Sequence, residues 1–324
     1  MTYPRCQLVP PGAPGTYHCV SRCVRRAFLC GQDAYSGRSF EHRRQWVEDR
    51  LQALAELFAV AVWGYAVMSN HLHLVVQLLP EVAAGWSDAE VAGRWLRLFP
   101  RAEQSEAEHQ QRIQNLAGQP ERIATLRARL ADLSWLMRCL SEPIARRANR
   151  EDQCTGRFWE GRYHCQALLD DRAVLAAMAY ADLNPVRARL CETLADADHT
   201  SAKRRLAEIE QTPAQSRSAL GPIMGVSGRG VLGLNQAEYL QLLDWTGRQL
   251  HPGKHGVIDG PAPPALARFG PNPQQWTRQV QAVGSDFHRA IGSVEQLLEK
   301  ARAMGQRWLQ GIGAARGLTA PEAI

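Results

Sequence analysis

The stretch "VMSNHLHLVVQLLP", residues 67–80, decides how the fold is read. Successive side chains of a strand point to opposite faces, so Leu72, Leu74, Val76 and Leu78 would share one face and His71, His73, Val75 and Gln77 the other. Just before it, "VAVWGYAVM" (60–68) is rich in Val and aromatics and predicts a second strand. Ser69 and Asn70 between the two make a tight hairpin connection. Working outward, "GTYHCVSRCV" (15–24) predicts an earlier strand. "SFEHRRQWVEDRLQALAELFA" (39–59) predicts a helix, with Ser39 as N-cap and Trp46, Leu51, Leu54 and Leu57 as an apolar stripe. After the hairpin, residues 81–130 are polar and helical in tone, an insertion, followed by a helix over about 127–149. "RYHCQALL" (162–169) predicts a fourth strand, and "DDRAVLAAMAYADL" (170–183) a helix with acidic residues in its first turn, as the helix dipole favours.

Without the insertion the order is strand, helix, strand, strand, helix, strand, helix. This predicts an α+β fold of the ferredoxin-like split β-α-β kind: an antiparallel four-stranded sheet with helices on one face. The two histidines would then lie on the open face. A chain of 324 residues has room for two domains. The expected division is 10–205, carrying the helical insertion at about 81–130, and 206–324, a mainly helical C-terminal extension. Within the latter, "HPGKHGVIDGPAPPALARFGPNPQQW" (251–276) reads as a linker or extended segment, and "DFHRAIGSVEQLLEKARAMGQRWLQGIG" (286–313) as amphipathic helix, together a separate small module.

Hydrophobic residues make up 45% and charged residues 22%, an ordinary balance for a globular chain. The start, "MTYPRCQLVPPGAPG", lacks the apolar core of a secretory signal, and the uncharged run from Leu57 to Met68 falls short of the ~20 residues that span a bilayer. A cytoplasmic protein without a membrane partner is expected. Eight cysteines with no C-x-x-C pair read as reduced, mostly buried thiols; a zinc site at Cys19, Cys23 and Cys30 is the alternative. The net charge is +6, and all basic residues but Lys203, Lys254 and Lys300 are arginine. Codon bias explains such a skew; phosphate recognition would exploit it.

Two imidazoles at His71 and His73, with Cα atoms ~6.6–6.8 Å apart on a strand, can converge on one metal ion. Ten histidines in 324 residues give about 0.3 such H-x-H pairs by chance. The pair alone therefore leaves two readings open: metal ligands, or polar residues on a half-exposed strand. A histidine-triad hydrolase would need His where Val75 stands, a two-histidine phosphoesterase a second copy of the motif, and neither is present. There is no G-x-x-x-x-G-K-[ST] loop, so no nucleotide cofactor is expected. A third partner is sought in "AMAYADLNPVRARL" (177–190), where Tyr180 and Asn184 are one helical turn apart on one face. A core tyrosine and an N-cap before Pro185 are the plainer alternatives.

In that order, "VMSNHLHLVV", "GRFWEGRYHCQAL" and "AYADLNPVRARL" resemble the REP-associated tyrosine transposases, members of the HUH group (histidine, bulky apolar residue, histidine) of single-strand transposases. The resemblance spans roughly residues 10–205; the insertion is longer than in compact members and the tail is extra. It implies a metal-dependent single-stranded DNA transesterase. Tyr180 would be the nucleophile, cutting and rejoining a strand through a 5′-phosphotyrosine. His71, His73 and Asn184 would hold Mg²⁺ or Mn²⁺, and single-stranded or hairpin DNA would be the partner. Arg22, Arg25 and Arg26 after the first strand, and Arg146, Arg147, Arg150, Arg157 and Arg162 around the turn before the fourth, are candidate DNA contacts. Phe158 and Trp159 are either base-stacking or turn-packing aromatics. The rival readings are a non-catalytic nucleic-acid-binding protein with the same fold and a nucleotide-binding domain with a regulatory tail.

Overall fold

The computed structural model describes all residues except 1–3, 25–28, 33–36, 101–104, 228–229, 231–232, 251–260, 269–271 and 320–324. A short helix α1 (Arg5–Leu8) leads into β1 (Gly15–Arg22), and α2 (His42–Leu57) crosses to β2 (Val60–Val67). The chain reverses at Ser69–Asn70 into β3 (His71–Leu78), the turn closed by Met68 N–H donating to His71 O at 2.8 Å. The insertion folds as α3 (Pro80–Ala84), α4 (Asp88–Leu98), α5 (Glu106–Ala117) and α6 (Pro120–Arg129). The helix expected over 127–149 is broken instead. α7 (Leu133–Glu151) starts afresh at Asp132, whose carboxylate accepts from Trp135 N–H at 2.8 Å and so caps a new N-terminus. β4 (His164–Leu168), α8 (Asp171–Asp182) and α9 (Asn184–Arg187) follow.

The sheet order is β5-β2-β3-β1-β4-β6, where β5 is Met224–Gly225 and β6 is Ala290–Ile291. The neighbouring strands pair antiparallel except β4 and β6, which pair parallel. The sheet is therefore six-stranded and mixed, where an antiparallel four-stranded one was expected. Both extra strands come from beyond residue 205, and two residues are too few to show a period in the sequence.

The two helices expected on one face, α2 and α7, lie together on one side of the sheet, and α8 lies across the other. Tyr65 of β2 donates its hydroxyl to Glu48 of α2. Its neighbour Gly64 faces the other way, and a Cβ there would lie 3.6 Å from the Met178 Cα of α8 and 3.3 Å from Ser201 Oγ. So α2, with α7 packed on it, covers one face, while α8 and the start of α10 (Ser201–Gln211) cover the other. The reason is size. α8 presents Ala173, Ala176 and Ala177, all fully buried, and together with Gly64 these let its backbone approach the sheet closely.

The segment beyond residue 205 is mainly helical: α11 (Gln236–Leu250), α12 (Pro264–Ala267), α13 (Pro273–Ala282), α14 (Val294–Ala303) and α15 (Ile312–Thr319). It does not stand apart as the sequence led us to expect. Tyr239, Trp276 and Ile291 belong to the same buried cluster as Leu74 and Ala177. A polar knot ties it to α8. Asp182 accepts from the Ser201 hydroxyl, from Ala202 N–H at 2.9 Å and from the Tyr239 hydroxyl at 2.7 Å. Burial pushes its carboxyl above the ordinary range, against the pull of these donors and of the buried Arg205. Arg205 in turn donates to Trp63 O at 3.0 Å and Gly221 O at 2.9 Å.

Candidate active site

The face of the sheet under α8 carries the histidines. In the β1–β3 register Arg22 lies opposite His71, Val20 opposite His73 and His18 opposite Val75; across β1, Gln166 of β4 is opposite His18. Directly opposed residues point to the same face, so His18, His71, His73 and Gln166 form one polar patch. The sequence predicts the pair on the sheet face away from the two helices of the split unit, with the Tyr180 helix lying across it. In the structure His18 is 1%, His73 3% and Gln166 2% exposed, because α8 and the C-terminal segment lie over them.

The patch is wired. Gln166 Nε2 donates to Val283 O at 3.0 Å and Phe287 O at 2.7 Å. Its Oε1 is 2.8 Å from His18 Nδ1, His18 Nε2 is 3.0 Å from His73 Nδ1, and His73 Nε2 is 3.0 Å from Asn184 Nδ2. His71 Nδ1 lies 2.6 Å from Asn70 Oδ1 in the hairpin turn. Burial lowers the pKa of His18 to about 4 and, aided by Arg22, that of His71 to about 4; burial and the neighbouring cationic groups hold His73 well below its usual value. All three imidazoles are neutral at pH 7, the form that binds metals.

Tyr180 sits on α8 with its ring 5.4 Å from that of His73 and 5.8 Å from that of His18, edge-on to both. The Arg187 guanidinium lies over it, 4.7 Å from the ring centroid. The hydroxyl end lies against Gly284, where any Cβ would overlap it. Asn184, one turn on, reaches His73, as the helical spacing requires. A cavity of about 390 Å³ opens beside these groups, lined by His18, His73, Gln166 and Tyr180, with Arg22 and Arg162 also on its wall.

The other arginines named from sequence are not brought together here. Arg25 and Arg26 lie outside the described residues. Arg146 and Arg147 are on α7, which packs on α2 beyond the opposite face; Arg146 pairs with Glu142, and Arg147 stacks 3.7 Å from the centroid of the Trp46 ring. Arg150 on α7 and Arg157 in the following turn are exposed and do not line the cavity. Phe158 is buried and Trp159 donates to Ser141 O at 2.9 Å, so both pack the turn. Tyr163, the other tyrosine near the motifs, lies beside Ser134 of α7, away from the histidines. Cys19, Cys23 and Cys30 are buried and form no disulfide among the described residues; burial pushes Cys30 up to about 12, and Cys19 faces Cys165 across β1 and β4. Among the described residues no three His, Cys, Asp or Glu side chains gather as a metal-ligand set; a set completed by an amide is of a different kind.

The sequence reading missed His18, Gln166, Arg187 and Gly284. His18 and Gln166 sit in segments already read as strands, and alternation alone puts each on some face; which face, and beside what, depends on a register set by residues 55 and 148 positions away. Arg187 was visible inside the quoted helix motif.

No family model matches this chain, and no curated protein matches it. One solved structure, of a REP-associated tyrosine transposase bound to a REP hairpin, aligns over 60% of this chain and 79% of that one, at 11% identity and a TM-score of 0.32, too slight a likeness to argue from.

Proposed function

We propose that the protein is a metal-dependent single-stranded DNA transesterase of the HUH tyrosine-transposase type. The observation that carries this is the meeting of Tyr180, Asn184 and His73 from distant parts of the chain, with His71 on the same strand. The strand order β2-β3-β1-β4, each pair antiparallel, supports reading the central four strands, within a catalytic domain of about 10–205, as the split β-α-β unit.

The donor set fits a hard divalent ion such as Mg²⁺ or Mn²⁺ in chemistry: two neutral imidazoles, each with Nδ1 held by a partner, and the amide of Asn184. When bound, such an ion withdraws charge from phosphodiester oxygens and eases departure of the 3′-oxygen. The protein's own groups do the rest. Tyr180 Oη forms a bond to phosphorus as the P–O3′ bond breaks; the phenol gives up its proton and the 3′-oxygen gains one. The covalent link conserves the bond energy, so the reverse step can join a new strand. Arg22 and Arg162, on the cavity wall, would hold phosphates of the entering strand.

One observation bears on the non-catalytic alternative: the Tyr180 hydroxyl lies against the backbone of Gly284 on the cavity wall, which crowds an in-line approach to a phosphate. One experiment separates the two. Incubated with Mn²⁺ and an end-labelled pool of single-stranded hairpin oligonucleotides, the native protein should form a denaturation-resistant adduct through a 5′-phosphate. Tyr180→Phe, which removes one oxygen and almost no volume, should bind the pool equally and form none. An adduct in the Phe variant rules out Tyr180; no adduct with the native protein favours the binding protein.

A further inference from the structure

We propose that Gln166 and His18 are positioning residues that fix the tautomer of His73, and that the C-terminal extension sets them through two backbone carbonyls. This rests on reading His73 as a metal ligand through Nε2.

Donor logic fixes each link in turn. A peptide carbonyl can only accept, so Val283 O and Phe287 O require the NH₂ end of Gln166 to face them, at 3.0 and 2.7 Å. The amide oxygen is thereby turned to His18 Nδ1, 2.8 Å away. An amide oxygen also only accepts, so His18 Nδ1 carries the proton. From the other end, Asn184 Nδ2, whose hydrogens also reach Tyr180 O at 3.4 Å, can only donate to His73 Nε2, 3.0 Å away, so the His73 proton sits on Nδ1 and its acceptor is His18 Nε2. That nitrogen is 3.0 Å from His73 Nδ1. The lone pair of His73 is left on Nε2, the atom that meets Asn184.

The chain of bonds has a second, opposite state. If the 283–287 segment withdrew, the Gln166 amide could turn over and donate to His18 Nδ1. Each proton would then shift to the other ring nitrogen, and His73 would carry N–H at Nε2, where it cannot ligate. The segment is placed to prevent this. Ala167 N–H donates to Arg289 O at 2.7 Å and Leu169 N–H to Ile291 O at 2.9 Å, so β6 pins the chain beside β4 immediately after Phe287. Gln166 is buried in between, with each of its side-chain polar atoms engaged. His71 needs no such device, since Asn70 in its own turn accepts from Nδ1.

The test uses the full-length protein labelled with ¹⁵N-histidine. In the metal-free native protein at pH 7, two-bond ¹⁵N–¹H correlations should show His18 and His73 both protonated at Nδ1. His18→Leu removes the acceptor for His73 and Gln166→Leu removes the acceptor for His18. Each should raise the population of Nε2-protonated His73 and weaken Mn²⁺ binding about 10–100-fold, the usual cost of losing an outer partner of a ligating histidine. His18→Gln returns an amide oxygen near the place of Nε2 and should restore both the tautomer and most of the affinity. Nε2-protonated His73 in the native protein, or native Mn²⁺ affinity in both Leu variants, overturns the proposal. A native protein with the assigned tautomers that takes up no Mn²⁺ at His73 upholds the relay and sinks the metal reading, so the two fail separately.

Discussion

The two faces of one sheet solve burial in opposite ways. Under α2 and α7 the strands present Tyr17, Cys19, Tyr65, Leu72, Leu74 and Val76, all at most 3% exposed, with the Tyr65 hydroxyl donating to Glu48. Under α8 the same strands present His18, His73 and Gln166, equally buried, and satisfy them by one continuous line of hydrogen bonds. The first face is held by transfer of apolar area from water and tolerates change of shape at a graded cost. The second is all-or-none: a buried polar chain missing one partner leaves the rest unsatisfied. Chemistry that needs a fixed protonation pattern belongs on the second.

Substitution of adjacent residues breaks the comparison most sharply. Leu74→Ala should cost about 2–5 kcal/mol of stability, measured by denaturant melts, yet leave Mn²⁺ binding and adduct formation intact in the folded protein. His73→Ala should abolish both. If Leu74→Ala removes metal binding as completely, the faces are not separate.

Asp182→Ala comes next. It strips the counter-charge from the buried Arg205 and the acceptor from Tyr239 and Ser201, at a cost of about 3–5 kcal/mol in thermal or chemical melts. A loss below about 1 kcal/mol would show that the knot does not hold α8 in place.

Between about pH 6.5 and 4, acid should act mainly on the histidine face. The unfolded chain takes up protons on these imidazoles near 6.5, whereas the folded protein holds His18 and His71 neutral down to about 4. Between those values the unfolded state binds more protons. Stability is at its full value above about pH 6.5 and falls as pH drops towards 4. Replacing His18 by Leu should flatten that part of the curve; an unchanged slope would remove His18 from the account.

A tighter test of the hydroxyl's place against Gly284 is Gly284→Ala. Its methyl would displace the Tyr180 phenol, and adduct formation should change about tenfold with melting little altered. The smallest effect expected is electrostatic. Arg22→Ala and Arg162→Ala should each lower the salt slope of single-strand binding by about 0.7, whereas Arg146→Ala and Arg147→Ala should not, being engaged with Glu142 and Trp46 on the far side.

Much of this was legible in local pattern. The β2–β3 hairpin announced itself through Val-rich alternation about a two-residue turn, and Tyr180 and Asn184 through spacing on one helix. What could not be read was long-range. The placement of His18 beside His73 depends on inter-strand register. The strands β5 and β6 are shorter than any period. The Ala-rich flank of α8 says that something passes close to it, without saying what. The arginines of α7 failed for a related reason: charge along a helix does not reveal which face of the sheet lies beneath it.

The span of the Gln166 bonds has a bearing on how the protein comes into being. Phe287, which supplies one of its carbonyls, is made 121 residues after Gln166. At about 5–20 residues per second, a ribosome reaches it roughly 6–24 s later. Throughout that interval the strands of the central sheet are already synthesised, while the amide that sets the histidines still faces water. The site is thus completed last, and a chain released early carries every residue of the proposed site and lacks their alignment.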